Sequence, residues 1–111
     1  MKQITLLYWE ECPSYEEALR RIEEVLQEEG VEVPLKAIRV ETDEEAERLR
    51  FPGSPTILID GKDIQPEGAG GPFRLACRLY RLDDGRPSPL PTKEMIRRAV
   101  RMAKTSNREE G

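Results

Sequence analysis

Two cysteines carry most of the chemistry this chain can offer. Cys12 lies in Cys12-Pro13-Ser14-Tyr15 and Cys77 stands far downstream. The apolar run Ile4-Thr5-Leu6-Leu7-Tyr8 precedes the first motif. A helical pattern follows it, with Tyr15, Ala18, Leu19, Ile22, Val25 and Leu26 at spacings of three and four. Pro13 suits the first helical position, where its missing N–H costs nothing. That reading puts Cys12 at the N-cap, facing unpaired amides and the positive end of the helix dipole. A thiol so placed is primed as a nucleophile, because the thiolate is the reactive species.

Composition removes several other chemistries. The chain has no histidine, which excludes Ser-His and Cys-His dyads and most transition-metal sites. Two cysteines cannot build a four-ligand zinc site or an iron–sulfur cluster within one chain. No metal or cofactor is expected, with a soft thiophilic ion on two thiolates left open. The net charge of −4 gives no general attraction to nucleic acid. No run approaches membrane-spanning length and no leader pattern opens the chain. A cytoplasmic protein with resting thiols reduced is the expectation.

The elements that must position Cys12 follow in order. Residues 3–8 read as a strand, 13–29 as a helix ending at Gly30, and 35–41 as a second strand. That βαβ unit implies a parallel pair. Thr42 and Glu45 form a capping box that opens a short helix through about Leu49. Residues 56–60 read as a third strand, Asp60-Gly61 as a two-residue hairpin turn, and 62–65 as the returning strand. Residues 66–91 are rich in Gly and Pro, and within them 73–82 fits a strand and a helix equally well. Thr92 caps a last helix, with Met95, Ile96, Ala99, Val100 and Ala103 on its apolar face. A single domain over residues 1–104 and a flexible tail over 105–111 are expected.

This β-α-β-α-β-β-α order, with a cysteine at the start of the first helix, resembles the thioredoxin-like superfamily. The closest local likeness is to glutaredoxins, whose Cys-Pro-x-Cys is matched by Cys12-Pro13-Ser14-Tyr15. Gly53-Ser54-Pro55-Thr56-Ile57-Leu58-Ile59-Asp60-Gly61 matches the family's cis-proline segment and hairpin. The resemblance covers roughly residues 3–65 and the final helix, which makes 66–91 an insertion. It implies an α/β fold in which Ser54 and Pro55 form the substrate-side wall next to Cys12. It also implies thiol–disulfide exchange, with Cys12 attacking a protein or small-molecule disulfide to give a mixed disulfide.

The chain departs from that pattern in ways that matter. Tyr15 replaces the second cysteine, so the resolving thiol must come from elsewhere. Cys77 is the candidate, closing a loop of about 65 residues that would be worth roughly 4 kcal/mol. The competing reading makes Cys77 a small buried apolar residue. Glu10 and Glu11 stand where glutathione users carry a basic residue, and the glutathione-holding motif is blurred into Gly68-Ala69-Gly70-Gly71, which argues against glutathione. Trp9 is either a platform for a partner or a strand-end anchor. Tyr15 is the first apolar contact of the helix or a hydroxyl near the thiol. Lys93, Arg97, Arg98, Arg101 and Lys104 on the last helix read as a solvated face, not a nucleic-acid patch. The alternative function is a non-catalytic adaptor or sensor that binds a peptide or thiophilic ion in the same groove.

Overall fold

The computed structural model describes residues 1–110, with side chains described through Lys104; the tail expected over 105–111 lies outside the fully described residues. It is a mixed α/β structure with a four-stranded sheet and three helices. Strands β1 (Ile4–Tyr8), β2 (Leu35–Arg39), β3 (Thr56–Ile59) and β4 (Lys62–Asp63) lie in the order β2-β1-β3-β4. β1 and β2 are parallel, as a strand–helix–strand crossover requires. β3 runs antiparallel to β1, and β4 antiparallel to β3.

Alternation in β1 divides its side chains between two layers. Ile4 and Leu6 join Ile57 and Ile59 against α1 (Tyr15–Glu29) and α3 (Lys93–Glu110). Ala18, Ile22 and Val25 of α1 and Ile96 and Val100 of α3 complete that core. Leu7 faces the other way, with Val40, Phe51 and Ala46 of α2 (Asp43–Leu49). Truncating a buried residue such as Ile22 removes roughly 2–5 kcal/mol by transfer and cavity terms.

Local signals set the element ends. Thr42 caps α2 by accepting from the Glu45 amide at 3.0 Å. The Glu45 carboxylate reaches the Glu41 amide at 3.1 Å, one residue outside the standard box. Asp60 and Gly61 both adopt positive φ, 52° and 82°, as a tight hairpin turn demands. Thr92 caps α3 through the Met95 amide at 3.1 Å.

Several expectations are corrected. α1 begins at Tyr15 with Ser14 at the N-cap, so Cys12 lies in the turn before the helix. The Cys12 amide donates to the Trp9 carbonyl at 3.0 Å, which closes that turn and separates Cys12 from the helix end. β4 is two residues long, not four. Segment 73–82 is neither a helix nor a continuous strand. It is extended chain with one bridge at Cys77, leading into a small hairpin of β5 (Tyr80–Arg81) and β6 (Pro87–Ser88). The basic face of α3 is not simply solvated. Lys93 bonds Glu24 and Glu28, Arg97 bonds Glu28, and Arg101 bonds Glu29, all across to α1. Such surface pairs contribute tenths of a kcal/mol each, beside the apolar contact of Ile96 and Val100 with α1.

One glycine is required by close packing. Gly53 has φ +145°, and a Cβ there would stand 2.9 Å from the Arg78 Cβ. Gly53→Ala should therefore lose about 2–3 kcal/mol in urea unfolding, from backbone strain plus overpacking. An unchanged midpoint would show that segment 76–78 does not press against Gly53.

Candidate functional site: a thiol pair tied together at Ser54

The site begins with the backbone of one residue. Ser54 is fully buried just ahead of β3, and its peptide bond to Pro55 is cis. Its amide donates to the Ala76 carbonyl at 2.8 Å, and its carbonyl accepts from the Arg78 amide at 2.8 Å. These two bonds flank Cys77 and make a parallel bridge between Ser54 and Cys77. Cys12 comes to the same residue from the other side, its thiol donating to the Ser54 carbonyl at 3.5 Å. The two cysteines, distant in sequence, are thus neighbours through Ser54. Both thiols are free. The Ser54 hydroxyl is buried with no hydrogen-bond partner among the described residues.

The two sulfurs differ in access. Cys12 is 1% exposed, whereas Cys77 is exposed to solvent. The Cys12 sulfur beside it, and then partial burial, push the Cys77 thiol up to about 11.

What holds Cys77 there is its neighbour. Arg78 is 3% exposed and forms a two-pronged pair with Asp63 of β4, at 2.6 and 2.8 Å. It also donates to the Gln65 carbonyl at 2.9 Å and covers the Tyr80 ring at 4.4 Å. Burial works against the charge on Arg78, but the Asp63 carboxylate outweighs it and holds the guanidinium above its ordinary range. Tyr80 is also buried, and its hydroxyl donates to the Pro55 carbonyl at 2.5 Å. Upstream, the Leu75 amide donates to Asp43 of α2 at 2.9 Å. Residues 75–80 therefore form a strap fixed on both sides of Cys77.

Read as a strand, 73–82 would alternate in hydropathy, and the structure departs from that after Leu75. Phe73, Leu75, Cys77 and Leu79 look like the inward set, yet Leu79 is 67% exposed and Arg78 and Tyr80 point in. The strand register follows the Asp63 pair and the Pro55 carbonyl, not hydropathy. Arg78, Asp63, Tyr80 and Gly53 were not foreseen as site residues. Gly53 stood in the segment quoted around Pro55, and for Arg78, Asp63 and Tyr80 no local pattern in the sequence marks a shared site.

The remaining candidates separate from the thiols. Trp9 is half-buried and packs on the cluster of Leu7, Val40, Ala46 and Phe51, an anchor at the strand end. Tyr15 is not a core contact of α1. It stacks on Tyr8, with ring centroids 4.4 Å apart and planes at 17°. Glu10 is engaged by Arg39 at 2.9 Å. A hollow of about 830 Å³ between β4 and α3, near Ile64 and Met102, contains neither cysteine. Among the described residues no group of three or more His, Cys, Asp or Glu is placed to hold a metal ion. No helix among them is long and apolar enough to cross a membrane. Comparisons with protein-family models, curated proteins and solved structures gave no match.

Two outcomes follow from this geometry. Asp63→Ala leaves a buried guanidinium unpaired and should cost about 3–5 kcal/mol in denaturant unfolding. Replacing both partners with apolar residues of similar size (Asp63→Leu with Arg78→Met) should restore most of that loss. If the single and double variants match the native protein, the pair does not hold the strap. In the native chain, alkylation of Cys77 should rise with pH through about 11. In Cys12→Ala the same profile should move down toward the ordinary thiol value of roughly 8.5. An unmoved profile would mean the sulfurs do not sense one another.

Proposed function

We propose that the chain is a small thiol–disulfide oxidoreductase of thioredoxin-like fold, with Cys12 and Cys77 as its redox pair. One observation carries the reading: Ser54 binds the backbone on both sides of Cys77 and also accepts from the Cys12 thiol. The sheet order β2-β1-β3-β4 and the cis Ser54–Pro55 bond beside Cys12 support the fold assignment. Tyr15 stands where a nearby second cysteine would be, and Cys77 supplies the missing thiol from the insertion.

The chemistry is a two-electron exchange. A substrate disulfide is opened by one thiolate of the pair, giving a mixed disulfide. The second thiol attacks that bond, forming Cys12–Cys77 and releasing the reduced substrate. Two protein thiols are oxidised and one substrate disulfide is reduced, with protons passing to the released thiols. An external dithiol resets the pair. A reducing cytoplasm would keep the pair mostly in its dithiol form between turnovers. The adaptor reading is less favoured, because the Ser54 edge that an extended peptide would use is already paired with the strap.

Turnover tests the proposal. With dithiothreitol as reductant and 2-hydroxyethyl disulfide as substrate, the native chain should show catalysed reduction above the uncatalysed rate. The variant that loses the exchanging thiol, whether Cys12→Ser or Cys77→Ser, should lower it by two orders of magnitude or more, on the scale of an essential nucleophile. Equal rates in all three proteins would refute an enzymatic role for the pair.

A further inference from the structure

We infer that Cys77 is the sulfur that exchanges with the substrate and that Cys12 is the buried resolving partner, the reverse of the order the Cys12-Pro13 motif suggests. The inference rests on the redox-pair reading and assigns its two roles. It also names the substrate class: small thiols and disulfides, or a thiol on a flexible end, which reach a sulfur without backbone pairing.

Access decides the order. An in-line attack needs an open path to the sulfur that is struck. Cys12 is 1% exposed, while Cys77 is open to solvent. The alternative, in which the strap lifts to uncover Cys12, must break the Ser54 bonds and separate Arg78 from Asp63. Opening a buried charge pair of this kind is strongly opposed. The strap also fills both backbone groups of Ser54, so a polypeptide substrate finds no free edge beside the thiols.

The exchange then runs as follows in the reductive direction. A small thiolate RS⁻ attacks the Cys77 sulfur of the Cys12–Cys77 disulfide. The S–S bond breaks, and its electron pair goes to the Cys12 sulfur, which takes up a proton. Cys77 now carries R through a mixed disulfide. A second RS⁻ attacks the sulfur of R, the bond electrons pass to Cys77, and RS–SR leaves. In the opposite direction the Cys77 thiolate opens RS–SR, and Cys12 attacks the Cys77 sulfur to expel the second RS⁻. Every step at Cys12 involves Cys77 alone, which is the one partner its burial allows.

The decisive experiment maps the mixed disulfide. The full chain is oxidised, freed of oxidant, pulsed with 2-mercaptoethanol, quenched in acid, alkylated and digested. The two single-cysteine variants, Cys12→Ser and Cys77→Ser, are treated in parallel with 4,4′-dithiodipyridine. The adduct is expected on Cys77, and Cys77 in Cys12→Ser should react at least 100-fold faster than Cys12 in Cys77→Ser. Unfolding Cys77→Ser in guanidinium should abolish that difference, which excludes chemical damage to Cys12 as its source. An adduct on Cys12, or faster capture by Cys12 in the folded variants, would overturn the order while leaving the pair intact. Failure of the oxidised chain to form any Cys12–Cys77 bond would overturn the redox-pair reading itself.

Discussion

The thiol pair depends on one buried ion pair. Arg78 and Asp63 meet through two short hydrogen bonds at a site almost closed to water. Such a pair is weak evidence of stability but strong evidence of register, because either charge left alone inside is costly. Here the register matters. Asp63 sits on β4, fixed by the Asp60–Gly61 turn to β3, and β3 begins next to Ser54. Placing Arg78 against Asp63 therefore sets Cys77 beside Ser54 and, through Ser54, beside Cys12. Shifting the strap by one residue would turn Arg78 outward and Cys77 inward.

The sheet supplies rigidity, and the segment between β4 and α3 brings Cys77 to it. β1 and β3 are packed on both faces, so the loop carrying Cys12 and the start of β3 have little freedom. The strap buries Tyr80 and rests Leu75 on the Leu7, Val40, Ala46 and Phe51 cluster, while Leu79 stays exposed. Directional bonds set its register: Ala76 and Arg78 to Ser54, Tyr80 to Pro55, Leu75 to Asp43. These bonds set the position of Cys77 relative to Ser54.

Much of the scaffold was legible in the sequence. Period-three-and-four spacing marked α1 and α3, apolar runs marked β1 to β3, and Asp60-Gly61 marked the hairpin. Thr42 and Thr92 announced their helices by capping. Cys12, Ser54 and Pro55 stood out by position. The start of α1 was misplaced because Cys12-Pro13 suits a cap and first turn equally well as the tight turn that is present. The strap was illegible for a deeper reason. Its order comes from Arg78, a residue type that is exposed in most settings. No local pattern announces a long-range partner such as Asp63. The same limit applied to α3, whose cations face carboxylates on α1 that only the fold brings near.

The effective concentration of one thiol at the other tests the central claim most directly. It is obtained by equilibrating the intact chain with reduced and oxidised glutathione and counting free thiols by mass. Two thiols on a loose loop would see each other at millimolar concentration or below. A strap pinned at Ser54 and Asp63 should raise that value by orders of magnitude, to roughly molar or above, as aligned intramolecular groups do. A millimolar value would contradict the account, because it would mean that the strap does not hold Cys77 against Cys12 in solution.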